Sequence, residues 1–384
     1  MNRTPTIKDL FIAFFRLGLT AFGGPAMVAH IRELSTQRNQ WLDKNDFKNG
    51  IALCQSIPGA TAIQAAAYVG LRVRGISGAL AAYCGFGLPA FIFMLFLSVL
   101  YAKFSNLPKF ISLFNGLQVI VVAIIFNATY SFGRNIANNY KNILVALLAA
   151  ISLWFGVSPF MVIVGACILG MALLKVSASA MINSETKETK WNAGQIIGLL
   201  VAFFTCLAGL YFLSTTLFNL AAVMLKIDLF AFGGGFASLP LMLHEIVINR
   251  GWLDSKTLMD GIALGQITPG PIVITATFVG YLVYGLLGAL VATIAIFTPS
   301  FFMVITIAPF FDRLKNSIYF MKAIDGIFAS FVGLLLYVCI KFTMGIPWDI
   351  VRILLGLATS AALLRKVDIL YIVPIGAVIS VFVL

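Results

Sequence analysis

Ala21-Phe22-Gly23-Gly24-Pro25 is followed by Trp41-Leu42-Asp43, and then by Gly50-Ile51-Ala52-Leu53-Cys54-Gln55-Ser56-Ile57-Pro58-Gly59. The same phrases return as Ala231-Phe232-Gly233-Gly234-Gly235, Trp252-Leu253-Asp254 and Gly261-Ile262-Ala263-Leu264-Gly265-Gln266-Ile267-Thr268-Pro269-Gly270. Phe22 recurs as Phe232 and Pro58 as Pro269, an offset of 210 to 211 residues. The correspondence runs on into plainer sequence: Tyr68-Val69-Gly70 matches Phe278-Val279-Gly280, Pro89 matches Pro299, and Asn115-Gly116 matches Asp325-Gly326. A two-fold repeat whose shared residues are Gly, Pro and Gln, set in an apolar chain, points to a transporter built from two related halves.

The apolar setting is unambiguous. Hydrophobic residues make up 61% of the 384 and charged residues only 10%, against about 25% charged in a soluble domain. Charge-free runs cover 75–102, 110–133, 142–174, 262–311, 353–364 and 369–384, and several exceed the roughly 20 residues that cross a bilayer. The expected fold is therefore an all-α polytopic membrane protein of about 13 hydrophobic segments, counted against the length a bilayer demands. The net charge of +12 fits Lys and Arg gathered in short loops and gives no reason to expect nucleic acid as a partner. The five cysteines lie in apolar stretches without metal-ligand spacing, so neither a metal nor another cofactor is expected. Phosphate-binding and nucleophile-elbow motifs are likewise missing from the sequence, which argues against an ATPase or any other enzyme.

Three regions are expected: a first repeat over 1–182, a polar linker with an unpaired apolar run over 183–216, and a second repeat over 217–384. One unpaired crossing starts the second half on the opposite side of the membrane. Loop charge points the same way. Arg72 and Arg74 in the first half face uncharged Tyr281–Tyr284 in the second, and uncharged Gly156-Val157-Ser158 faces Arg365 and Lys366. Loops basic in one copy and bare in the other are what an inverted repeat demands. Residues 8–34 and 46–71 read as short apolar pieces broken at Gly or Pro, re-entrant or strongly broken rather than simple crossings.

Irregular backbone at membrane depth survives only where protein or a wet cavity surrounds it, so the repeated breaks are the candidate substrate site. They comprise Gly23, Gly24 and Pro25; Pro58 and Gly59; Gly233, Gly234 and Gly235; and Pro269 and Gly270. A helix that starts after each break presents N–H groups that suit an anion. Gln55 and Gln266 precede each Pro-Gly by one helical turn, and with Gln64 and Thr268 they are further substrate-binding candidates, because an amide or hydroxyl donates to an oxyanion without bringing a charge. Each could equally bond a neighbouring helix. Arg16 and Lys226 hold matched positions and either attract the anion or reach for the interface. His30, Glu245 and Asp325 are candidates for gating or proton coupling, with a capped interfacial histidine and a structural hydrogen bond as the plainer alternatives.

The motifs Phe22-Gly23-Gly24-Pro25 with His30, Gln55 with Pro58-Gly59, Phe232–Gly235 with Leu239-Pro240-Leu241, and Gln266 with Pro269-Gly270-Pro271 resemble the chromate ion transporter family in its long, two-half form, over nearly the whole chain. The resemblance implies an exporter of chromate, or of the isosteric sulfate, in a bacterial-type inner membrane, with the lipid bilayer as its surroundings and room for a homodimer. The two copies differ at one point of the pattern: Pro58-Gly59-Ala60 stands against Pro269-Gly270-Pro271. An anion channel is the rival from a different class; it needs a continuous polar lining, and polar residues are few over 75–175.

Overall fold

The computed structural model describes residues 5–22, 24–174 and 193–384. Among them every regular element is helical, as a backbone surrounded by hydrocarbon requires. Gly23 and the polar linker 183–192 lie outside the described residues.

The first half runs α1 (Ile7–Thr20), α2 (Gly24–Arg32), α3 (Lys44–Ser56), α4 (Thr61–Phe104), α5 (Pro108–Ile136), α6 (Tyr140–Trp154) and α7 (Pro159–Leu173). After α8 (Ala193–Leu213) come α9 (Thr215–Leu229), α10 (Ser238–Met242), α11 (Ser255–Ile267), α12 (Thr275–Ile307), α13 (Phe311–Lys315), α14 (Ile318–Gly345), α15 (Ile350–Leu364) and α16 (Ile369–Val383). Both α2 and α10 widen at their ends into a π-helical turn, Glu33–Arg38 and Leu243–Asn249. The recurring Asp of Trp-Leu-Asp then has a plain purpose. Asp43 caps α3 by accepting from the backbone N–H groups of Asn45 and Asp46, and Asp254 caps α11 by accepting from Thr257. A cap of this kind satisfies donors that the first helical turn leaves over.

The long run α4 is two helices. Gly75 has φ +66° and ψ −153° inside it, and the chain doubles back there. A Cβ on Gly70 would overlap the carbonyl of Gly78, and one on Gly78 would overlap that of Gly70, a proximity that residues eight apart in a straight helix never have. The same reversal recurs in α12 at Gly285, φ +59° and ψ −149°, with Gly280 against Gly288. The first arm of α4, 61–73, is therefore only about 20 Å long at 1.5 Å per residue, well short of a bilayer core. With α3 before it, also 13 residues, it forms a pair of short helices broken at Ile57–Ala60. The second arm alone exceeds 20 residues. Helices α5, α8 and α14 are also long and apolar enough to cross a membrane. On α8 the apolar side chains of Ile197, Val201 and Phe204 are about 60% exposed, a surface suited to lipid.

The chain forms two compact units, each drawn from both halves of the sequence. One comprises Met1–Leu95, Ala178–Gly235 and Pro269–Ser317; the other comprises Phe96–Ser177, Phe236–Thr268 and Ile318–Leu384. In the first unit α12 packs on α9, and α1 crosses the second arm of α4 closely enough that a Cβ on Gly18 would come within 2.6 Å of the Phe86 carbonyl. In the second unit α14 lies against α5, α6 and α7, and α5 against α11, α15 and α16. Small residues permit these approaches: a Cβ on Gly326 would come within 2.7 Å of Gly170 Cα. Close backbone contact through small residues is the usual means of helix association in lipid.

Candidate functional site

All four sequence breaks lie in the first compact unit, and two backbone hydrogen bonds join them crosswise. The Gly59 N–H donates to the Ala231 carbonyl at 3.0 Å, and the Gly270 N–H donates to the Ala21 carbonyl at 3.0 Å. The Pro-Gly break of each half is thus held by the Phe-Gly-Gly break of the other. Both glycines sit at nearly the same positive φ, +113° and +109°, a conformation that only glycine adopts at small cost. Beyond the breaks new helical turns begin: α2 at Gly24, a 3₁₀ turn at Gly235–Ala237, α4 at Thr61 and a 3₁₀ turn at Ile272–Ile274. The N–H groups of Gly59, Ala60 and Gly270 already have protein acceptors. Donors for a ligand must therefore come from the helical turns that follow, or from side chains.

Around Gly59 the surroundings are polar. A Cβ there would overlap Ser300 Oγ and lie 2.6 Å from Gln64 Nε2. Ser300 directs both its donors at Asp228 Oδ2, the backbone N–H at 2.8 Å and the hydroxyl at 2.7 Å. Its Oγ accepts from the Ala60 N–H at 3.3 Å and from Gln64 Nε2 at 3.4 Å. Gln64 Nε2 also donates to the Pro58 carbonyl at 2.6 Å. Gln64, Asp228 and Ser300 are fully buried. Around Gly270 the surroundings are apolar: a Cβ would sit 2.7 Å from Ala90 Cβ, and Ala90 is the repeat counterpart of Ser300.

The structure gathers Gly24, Pro25, Gln55, Pro58, Gly59, Gln64, Gly233, Gly234, Gly235, Pro269 and Gly270 in this unit, together with Arg16, Lys226 and His30. Gln55, Arg16, Lys226 and His30 are exposed, while Pro58, Gln64, Pro269 and Gly270 are buried. Gly234, at φ +83°, faces Thr61 at the start of α4. Gln266, Thr268, Glu245 and Asp325 belong to the other unit. There Thr268 Oγ1 donates back to the Leu264 carbonyl at 2.7 Å, Glu245 is buried and accepts from Asn249 Nδ2 at 3.4 Å, and Asp325 is exposed. Gln266 is buried, and its Nε2 has no hydrogen-bond partner.

Sequence inspection missed one cluster in the second unit. Asp260, in α11, is buried and accepts from Gln118 Nε2 and from the Tyr101 hydroxyl, each at 2.8 Å. Both its oxygens are satisfied, so it joins α11 to α5 and to the second arm of α4. The one local signal was an acid within the otherwise apolar stretch 258–264 of α11.

The pattern of the family described as chromate transporter matches residues 8–171 and, a second time, residues 218–381. An uncharacterized transporter of Methanocaldococcus jannaschii is 40% identical over 385 residues, covering 100% of this chain and 96% of that protein. The chromate transport protein of Cupriavidus metallidurans is 31% identical over 371 residues, 94% of this chain and 89% of the relative. That of Pseudomonas aeruginosa is 29% identical over 332 residues, 85% and 79% of the two chains. No solved structure matches.

Proposed function

Because the chain belongs to the chromate transporter family, a family of multi-pass membrane transporters and not of enzymes, we propose that it exports a divalent tetrahedral oxyanion, chromate foremost, across the inner membrane by alternating access between two inverted halves. Two of its relatives are named chromate transport proteins, and they cover most of its length. The observation that carries the reading to an anion is the Gln266 side chain, a buried amide whose N–H donors lack a partner. Burying a donor unsatisfied costs about 1–3 kcal/mol, and an oxyanion at that position removes the cost. Support for the inverted arrangement comes from the charge exchange between matched loops and from the unpaired helix α8 between the halves, the pattern expected when two halves face opposite sides.

The energetics favour export. With the cytoplasm about 100 mV negative, each negative charge that leaves gains about 2.3 kcal/mol, so a dianion gains about 4.6. The decisive measurement is chromate uptake into everted membrane vesicles, with the potential imposed or collapsed and sulfate as competitor. Saturable uptake that grows with the potential supports a carrier. Uptake that does not saturate and ignores the potential points to a channel instead. Substituting Gln266→Leu should raise the apparent KM for chromate about tenfold, the loss of one charge-assisted hydrogen bond of about 1.5 kcal/mol. An unchanged KM would remove Gln266 from the substrate.

A further inference from the structure

The hydrogen bonds around Asp228 do not close. Ser300 has one hydroxyl hydrogen and one backbone hydrogen, and both go to Asp228 Oδ2. The Ser300 oxygen is then an acceptor only, toward Ala60 N–H and Gln64 Nε2. The bond from Gln64 Nε2 to the Pro58 carbonyl fixes which end of that amide is which. Two oxygens are left over, Asp228 Oδ1 and Gln64 Oε1, each buried and without a partner. Both are acceptors, so the cluster lacks hydrogen, not lone pairs.

Among the described residues, no basic side chain is hydrogen-bonded to Asp228 Oδ1. Lys226 lies two residues away on α9, about 200° around the helix, and is exposed where Asp228 is buried. Helices α8 and α12, both packed on α9, contain no Lys, Arg, His, Asp or Glu. Their titratable groups are Cys206 and Tyr211 on α8, and Tyr281 and Tyr284 on α12. The second arm of α4 adds Cys84 and Tyr83, whose hydroxyl is committed to the Phe297 carbonyl. A buried, ionised and unpaired carboxylate is among the costliest arrangements in a membrane. A Ca²⁺ or Mg²⁺ ion could neutralise it but needs about six or more oxygen ligands, and only two oxygens in this cluster are unclaimed. A single proton on Oδ1 removes the charge and needs no other ligand.

We infer that Asp228 is a proton-carrying carboxyl of the transport cycle, taking up a proton from the outer side and releasing it inward as the anion moves out. The inference rests on the transport reading above and adds the coupling ion to it. The connection to the moving part is short. Ser300 bonds both Asp228 and the Ala60 N–H, and the neighbouring Gly59 N–H is bonded to Ala231, three residues beyond Asp228 on the same strand of chain. When the proton leaves, Oδ1 needs a new donor, and the groups within reach of the change are those that hold the Pro58-Gly59 break. His30 and Asp325, by contrast, are exposed and carry no such demand.

Purified protein in liposomes with a pH-sensitive dye inside tests this directly. Wild type should move protons against chromate. Asp228→Asn, which places an amide where the neutral carboxyl stands, should lose the proton signal while still binding chromate. Asp228→Glu should restore part of it. Chromate flux with no proton flux in wild type, or the same proton flux in folded Asp228→Asn, overturns the inference and leaves chromate transport standing. Wild type that moves no chromate at all refutes the transport reading instead. Infrared difference spectra of the detergent-solubilised protein then decide the inference alone. A carboxylic-acid band that titrates and disappears in Asp228→Asn supports it; the lack of such a band at every pH where the protein is folded overturns it.

Discussion

Two breaks of the same shape have acquired opposite chemistry. At Pro58-Gly59 the glycine rests on Ser300, with Asp228 and Gln64 behind it; at Pro269-Gly270 the glycine rests on Ala90, and the residue matching Asp228 is Gly18. Their φ angles agree to a few degrees, and each glycine donates to the opposite half at the same distance. The two copies therefore share the backbone geometry, while a buried acid, a hydroxyl and an amide stand at one copy only. The lesson is that a repeated scaffold can hold two chemistries: the same backbone turn rests on a methyl group in one copy and on a buried polar cluster in the other.

Substitutions at the two glycines should expose the difference most strongly. Gly59→Ala drives a methyl group into Ser300 from a backbone conformation that costs about 1–3 kcal/mol for a non-glycine residue, so transport should be lost and the melting temperature in detergent should drop. Gly270→Ala carries the same backbone cost but meets only the Ala90 methyl at 2.7 Å. It should be milder, and Ala90→Gly should recover part of the loss. Equal damage at both sites, with no rescue, would mean that the contact partners do not matter.

The next test exchanges the partners. Ser300→Ala strips Asp228 Oδ2 of one donor and leaves the Ala60 N–H and part of the Gln64 amide unsatisfied, a cost of about 1–3 kcal/mol. Ala90→Ser should be near neutral, because its hydroxyl can bond back to a carbonyl of its own helix. Thermal unfolding in detergent compares the two, and equal shifts would deny the asymmetry. Smallest are the caps. Asp43→Ala and Asp254→Ala should each cost about 1 kcal/mol, the first slightly more because Asp43 accepts from two backbone N–H groups and Asp254 from one. A large gap between them would show that even the shared scaffold is unequal.

Much of this was legible in the sequence because its signals are local. Gly and Pro at the breaks act within a turn of their own position, whereas Arg72 and Arg74, read only as loop charge, bond to Asp46 and to the Pro5 carbonyl, 26 and 69 residues away. The crosswise bonds and the Ser300 cluster were not legible. Asp228 and Ser300 are 72 residues apart and Gln64 and Ser300 are 236 apart, and nothing in an apolar helix tells which distant residue will face a buried acid. Asp260 escaped for the same reason: its partners Gln118 and Tyr101 are 142 and 159 residues away. Gln64 was picked out as a donor to an anion, and the structure gives its amide hydrogens to Pro58 and Ser300 instead. The gathering of all four breaks in one compact unit followed from no single motif.

The crosswise pair of backbone bonds bears on how such a chain is made. Gly59 borrows its acceptor from the second half, and Ala21 has its carbonyl taken by the second half's Gly270. While the ribosome is still synthesising the later helices, the first half has a turn it cannot complete and a surface it cannot cover. Until the second half arrives it is one hand of a clasp. Two halves produced as separate polypeptides would carry matching ends of the same clasp. Assembly by complementation is thus written into the backbone itself, independent of any side chain that evolution has since changed.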